Sequence, residues 1–120
     1  MRRPPPLLHD AYDLTLALYK VVPTFPKAQR FVLGQRIEQA SLDVLFGVQH
    51  AVDARERLES LRRASRALDE LRLLVRLAVD LNFIPVARHE ALVTRLDGLG
   101  RQLGGWLKWA DPDSPKGPSP

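Results

Sequence analysis

Between Leu61 and Ala78 the apolar residues Leu61, Ala64, Leu68, Leu71, Val75 and Ala78 recur at alternating intervals of three and four. Positions three and four apart share one face of an α-helix, whereas a strand repeats every two residues. The run therefore makes an apolar seam along a helix. A helix on its own cannot bury such a seam from water, so it has to lie against other helices. The chain is constrained to helical packing if the rest of it supplies partners.

It does. Leu8, Ala11, Tyr12, Thr15, Leu18, Tyr19 and Val22 predict a first helix over about 7–22. Pro23 stops it, because the residue before a proline avoids the helical region. A second helix is predicted over about 26–52, with Pro26 in the first position, where the lost donor would be unpaired anyway. Its stripe is Leu33, Ile37, Ala40, Val44, Val48 and Ala51, widened by Gly34, Ser41 and Leu45. The seam above belongs to a third helix over about 54–81. After a break at Asn82-Phe83-Ile84-Pro85, a fourth runs over about 86–109, with Leu92, Leu96, Leu99, Leu103 and Trp106 in register. Its glycines, Gly98, Gly100, Gly104 and Gly105, each cost roughly 1 kcal/mol relative to alanine. They predict close approach of a neighbouring helix or subunit, or a frayed end. No strand alternation interrupts the pattern. Four amphipathic helices with short connections predict an all-α, up-down-up-down four-helix bundle over residues 7–109. Residues 1–6 and the proline-rich 110–120 are predicted to be disordered.

At 120 residues the chain is expected to form one domain with its own core. The lack of cysteine excludes a disulfide framework and a cysteine-ligated zinc site. No run approaches the roughly 18 apolar residues of a membrane span. His9, Asp10 and Asp13 break up the segment where a secretory signal would be apolar, so a cytoplasmic, unexported protein without membrane contact is expected.

Catalytic patterns are missing. His9, His50 and His89 fall on different predicted helices without metal-ligand spacing, and there is no Glu-x-x-His pair of the di-iron type. No Gly-rich phosphate loop or nucleophile elbow is present. Ser41, Ser60 and Ser65 have no evident base, and Glu56, Glu59, Asp69 and Glu70 are interspersed with arginines, as in an ion-paired solvated helix. The expectation is a non-enzyme with no metal, no cofactor and no small-molecule substrate.

Binding is the better prospect. Net charge is +4, and 14 of the 18 basic residues are arginine, whose planar fork suits phosphate. Arginine bias also follows from a GC-rich or thermophilic source, so composition alone does not assign a nucleic-acid partner. The candidate nucleic-acid or polymerase surface is Arg30 and Arg36 on the second helix, Arg62, Arg63, Arg66, Arg72 and Arg76 on the third, and Arg88, Arg95 and Arg101 on the fourth. The alternative for the third helix is self-compensation by its acids. Phe31, Leu42 and Phe46 on the second helix, and Leu73 and Leu77 on the third, lie off the main stripes. Either the faces are rotated and these residues are core, or they form an oligomer interface. Trp106 fits the core; Trp109 either caps the bundle or stacks on a partner.

The segment Phe25-Pro26-Lys27-Ala28-Gln29-Arg30-Phe31-Val32-Leu33-Gly34-Gln35-Arg36-Ile37-Glu38 resembles the accessory variability determinant (Avd) proteins of diversity-generating retroelements. Tyr12-Asp13-Leu14 through Leu18-Tyr19 looks like their first helix, and Leu71-Arg72-Leu73-Leu74-Val75-Arg76-Leu77-Ala78 like their third. Leu99-Gly100-Arg101-Gln102-Leu103-Gly104-Gly105-Trp106-Leu107-Lys108 looks like the end of their fourth. The resemblance covers about residues 7–108. It implies a bundle assembled into a basic, barrel-like homopentamer that binds the retroelement's reverse transcriptase. It also implies contact with template-region RNA or DNA during mutagenic reverse transcription and retrohoming. The basic surface of the family is matched within these motifs by Arg30, Arg36, Arg72, Arg76 and Arg101. Two other readings fit the helical pattern: a relative encoded in intervening sequences of 23S ribosomal RNA genes, and a self-assembling helical protein with no nucleic-acid role.

Overall fold

The computed structural model describes residues 6–114. In it the apolar seams face one another around a ring of helices. The elements are α1 (Pro6–Val21), the single turn α2 (Lys27–Arg30), α3 (Leu33–His50), α4 (Arg57–Asp80) and α5 (Val86–Ala110), with a 3-10 turn at Val22–Thr24. α1 packs on α3, α3 on α4, α4 on α5, and α5 returns to α1. Leu7, Val48, Leu61 and Trp106 line one shared cavity. The start of α1, the end of α3, the start of α4 and the end of α5 are therefore at the same end, which is the up-down-up-down order.

Every member of the Leu61–Ala78 seam is buried. It meets Leu14 and Leu18 of α1, Ile37 and Val44 of α3, and Leu99 and Leu103 of α5 in one core. The polar side chains inside are satisfied locally. Thr15 Oγ1 donates to Ala11 O at 2.8 Å and Ser41 Oγ to Glu38 O at 2.7 Å, while Ser60 Oγ accepts from Arg63 at 3.2 Å. Among the described residues no buried side-chain nitrogen or oxygen lacks a partner. Ser41 and Ser60 are thus occupied by helix-internal hydrogen bonds.

The single helix expected over 26–52 is interrupted at Phe31 and Val32, whose backbone leaves the helical region (Val32 φ −117°, ψ −89°). Pro26 is the N-cap of α2 rather than its first helical residue. The gain from the break is Phe25, which is 1% exposed and stacks at 5.7 Å from Phe83. Burying a phenylalanine is worth roughly 1.5–3 kcal/mol, against roughly 0.5–1.5 for each helical hydrogen bond given up. Gly34 makes the tight fold possible: a Cβ there would lie 2.6 Å from a methyl of Val22.

α4 is stopped just past its C-cap Leu81 by Asn82 (φ 64°), a left-handed position that asparagine tolerates, with Phe83 N–H bonded to Ala78 O at 2.8 Å. The backbone then turns so that Ile84 is buried and Pro85 stands as the N-cap of α5. α5 reaches Ala110, and residues 111–114 form a turn in which Asp111 accepts from Asp113 N–H at 2.9 Å. The disorder predicted from residue 110 therefore does not describe 110–114, and Pro6 belongs to α1. Residues 1–5 and 115–120 lie outside the described residues. No helix of the described chain is long and apolar enough to cross a membrane.

α3 and α4 approach closely at Gly47, where a Cβ would meet Ala64 Cβ at 2.9 Å and Ser60 O at 3.0 Å. Within the chain, Gly98, Gly100 and Gly104 of α5 do not show the close approach of a neighbouring helix that was one of the readings. Gly104 has nothing within 4 Å, and Gly100 makes room for the guanidinium of Arg72 rather than for a backbone.

Candidate nucleic-acid and partner interface

The structure distributes the candidate arginines over separate faces. Arg36, Arg63 and Arg66 flank the groove between α3 and α4; Arg63 and Arg66 line it with Phe46 and His50. Arg72 and Arg101 line the groove between α4 and α5, and Arg88 and Arg95 the groove between α1 and α5. Arg30 sits in the connector, its Nε donating to Phe25 O at 3.1 Å.

Their electrostatic commitments also differ. Arg36 bonds Glu70, tying α3 to α4. Arg62 lies 3.7 Å from Asp111, Arg66 3.7 Å from Glu59, Arg76 3.9 Å from Asp80 and Arg95 4.0 Å from Asp13. These pairs are largely exposed and worth about 0–1 kcal/mol each, so a phosphate can displace the carboxylate at little cost. Arg72 is bound more firmly. It donates to Asp97 at 2.7 Å and to Leu96 O at 3.1 Å, over Gly100. Its side chain is a strut between α4 and α5. Arg30, Arg63, Arg88 and Arg101 have no carboxylate within 4 Å among the described residues, and all are exposed. The self-compensated reading thus holds for part of α4, through Arg66 and Arg76, and not for Arg63.

The candidate interface residues resolve the question of rotated faces. Phe31 (74%), Leu73 (70%), Phe46 (50%) and Leu77 (47%) are exposed, and Leu42 is half-buried. Tyr12, Leu16 and Tyr19 form another exposed stripe on α1, and Val52, Leu81 and Val86 are exposed as well. Sequence reasoning assigned the tyrosines to the core side of α1. Their spacing of four and three fits either side of an amphipathic helix, and only the position of α3 and α5 separates them from Leu14 and Leu18.

Trp109 caps the bundle. It packs edge-on against Trp106 at 5.4 Å, and the guanidinium of Arg57 lies 5.2 Å from the centre of its ring. Arg57 also donates to Ala51 O at 2.9 Å, closing the end of α3 onto α4 and α5. Arg57 is not among the residues singled out from the sequence; the tryptophans three residues apart were the available signal.

Among the described residues, three groups have shifted pKa values. Burial raises the carboxyl of Glu38. Burial, and then the negative charge of Glu38, raise the phenol of Tyr19. Hydrogen bonds from Arg55 lower the carboxyl of Asp53. His9, Asp10 and Asp13 do cluster, their ligand atoms lying within 4.8 Å of one another. Asp10 accepts from Gln102 at 2.6 Å, and Asp13 is shared by His9 at 3.1 Å and Arg95. The cluster is a hydrogen-bonded link between α1 and α5, arising from helical spacing.

Comparison with known families adds one match. A family model described as bAvd-like matches residues 7–110, which takes in all four long helices. No curated protein matches the chain.

Proposed function

The chain belongs to the bAvd-like family, and on that premise we propose that it is a non-catalytic accessory protein of a diversity-generating retroelement. In this reading it assembles into a barrel-like homopentamer. It binds the retroelement's reverse transcriptase and template-region RNA or DNA, and supports mutagenic reverse transcription and retrohoming. The observation that carries the proposal is the extent of the family match, which spans the bundle from the first turn of α1 to the end of α5.

Two features of the surface support it. Exposed apolar side chains on α3 and α4 are more than a lone bundle needs, and assembly would cover them. Arg30, Arg63, Arg88 and Arg101 are exposed without a carboxylate partner, and a ring of copies would repeat them around an axis. The role of the protein is then to hold polymerase and template together.

The test is co-purification with the reverse transcriptase of the same retroelement, with and without template RNA. A stable complex is expected, together with RNA binding that weakens as salt rises, because each neutralised phosphate releases counterions. Changing Arg62, Arg63 and Arg66 together to Glu should weaken RNA binding and flatten its salt dependence while helicity is kept. A well-folded oligomer that captures neither polymerase nor RNA at low salt refutes the proposal.

A further inference from the structure

Where α1 meets α5 the surface carries a groove of about 580 Å3. Its floor is Ala17 of α1 with Ala87, Ala91 and Leu92 of α5. Alanines one turn apart on α5 remove the ridge that larger side chains would raise between the two helices, which is why the groove exists. Leu16, 43% exposed, forms an apolar wall.

The rim is cationic. Lys20, Arg88 and Arg95 line it. Among the described residues Lys20 and Arg88 have no carboxylate within 4 Å. Asp13 is the acid lining the groove, and it is held by His9 at 3.1 Å and by Arg95 at 4.0 Å. α5 also starts at this groove. Its first turn contains no acid and Pro85 supplies no side-chain cap, so the N–H groups there add positive potential.

An apolar floor under a cationic rim fits an apolar ridge flanked by carboxylates. We infer that the α1/α5 groove docks an acidic amphipathic helix of a protein partner. The lined stretch of α1, from Asp13 to Val21, rises about 12 Å, a little over two helical turns. A docked helix can place apolar anchors at i, i+4 and i+7 over that length. A nucleic acid fits less well, because no aromatic ring lines the groove for bases to stack on. A second copy fits less well too. The exposed leucines of α4, Leu73 and Leu77, carry Arg76 beside them, and that would set like charge against the rim. The inference does not rest on RNA binding, and it moves Arg88 and Arg95 from a nucleic-acid surface to a protein-binding one.

The probe is a fluorescein-labelled, lactam-bridged helical peptide of about 15 residues, since shorter isolated helices are marginal in water. It carries leucines at i, i+4 and i+7 with glutamates on both flanks. Anisotropy titrations with the full chain compare it with the same peptide bearing lysine for glutamate, and with a single-stranded RNA. The acidic peptide is expected to bind at least about tenfold tighter than the basic one. Ala91→Leu, an exposed position whose larger side chain fills the floor, is expected to weaken it about tenfold. Arg88→Glu should do the same. Circular dichroism checks that both variants stay helical.

Equal affinity for the two peptides overturns the inference, as does acidic-peptide binding that ignores Ala91→Leu. A parallel loss of RNA binding in Ala91→Leu makes the groove a nucleic-acid site instead. A change of oligomeric state in that variant places it between copies. Failure to capture a reverse transcriptase would refute the accessory role and leave the peptide result standing.

Discussion

Gly47 and Gly104 both lie inside long helices, and replacing either with alanine offers the same intrinsic gain of roughly 0.8–1.0 kcal/mol. Their surroundings give the two substitutions opposite signs. A Cβ at Gly104 meets nothing within 4 Å. At Gly47 it would stand 2.9 Å from Ala64 Cβ, 3.0 Å from Ser60 O and 3.1 Å from Ala64 N. Two of those three atoms are backbone of α4, which cannot swing aside as the tip of a side chain would. The α4 backbone would have to give way at this crossing. Overpacking of this kind costs about 1–3 kcal/mol. Offset by the helix gain, Gly47→Ala should destabilise by up to about 2 kcal/mol while Gly104→Ala stabilises by about 1. For a domain of this size each kcal/mol moves the thermal midpoint by about 4 °C. Urea titration at one fixed protein concentration is the assay, because assembly would make the midpoint depend on concentration. Adding Ala64→Gly to Gly47→Ala removes one obstruction, so the pair should be non-additive by about 0.5 kcal/mol or more. Equal stabilisation by Gly47→Ala and Gly104→Ala would refute the close α3/α4 packing.

Phe46→Asp should abolish assembly and leave helicity intact, read by light scattering and circular dichroism; global unfolding would return Phe46 to the core. Glu38→Gln tests the upward shift of that carboxyl's pKa. A raised folded value means that the native state holds the proton more tightly than the unfolded chain, so stability is lost as pH rises from the ordinary 4.5 through the folded value. The variant should therefore be more stable than the parent at pH 7 in urea titrations, with the difference closing below that ordinary value.

The periodicity of Leu61 to Ala78, and of the stripes in the other helices, was sufficient to determine the number of long helices, their order and most of the core. Those residues repeat at the period of the helix itself, and burial follows from the repeat. The break at Phe31 and Val32 was not readable, because residues 26–52 support a continuous helix locally. Only the space beside Phe83 and Val22 makes it better to bend and bury Phe25. The same holds for the glycines. Sequence shows their cost, and only the neighbouring helix shows that Gly47 is needed for packing while Gly104 is not. The arginines were legible as residues suited to phosphate. Which of them are committed was decided by long-range neighbours: Asp97 and Leu96 hold Arg72, Glu70 holds Arg36, and Arg88 and Arg101 have no carboxylate within reach among the described residues. Charge and period are properties of a residue and its near neighbours in the chain. Commitment and exposure depend on what the fold brings from 25 or 34 residues away, and only the tertiary structure contains that.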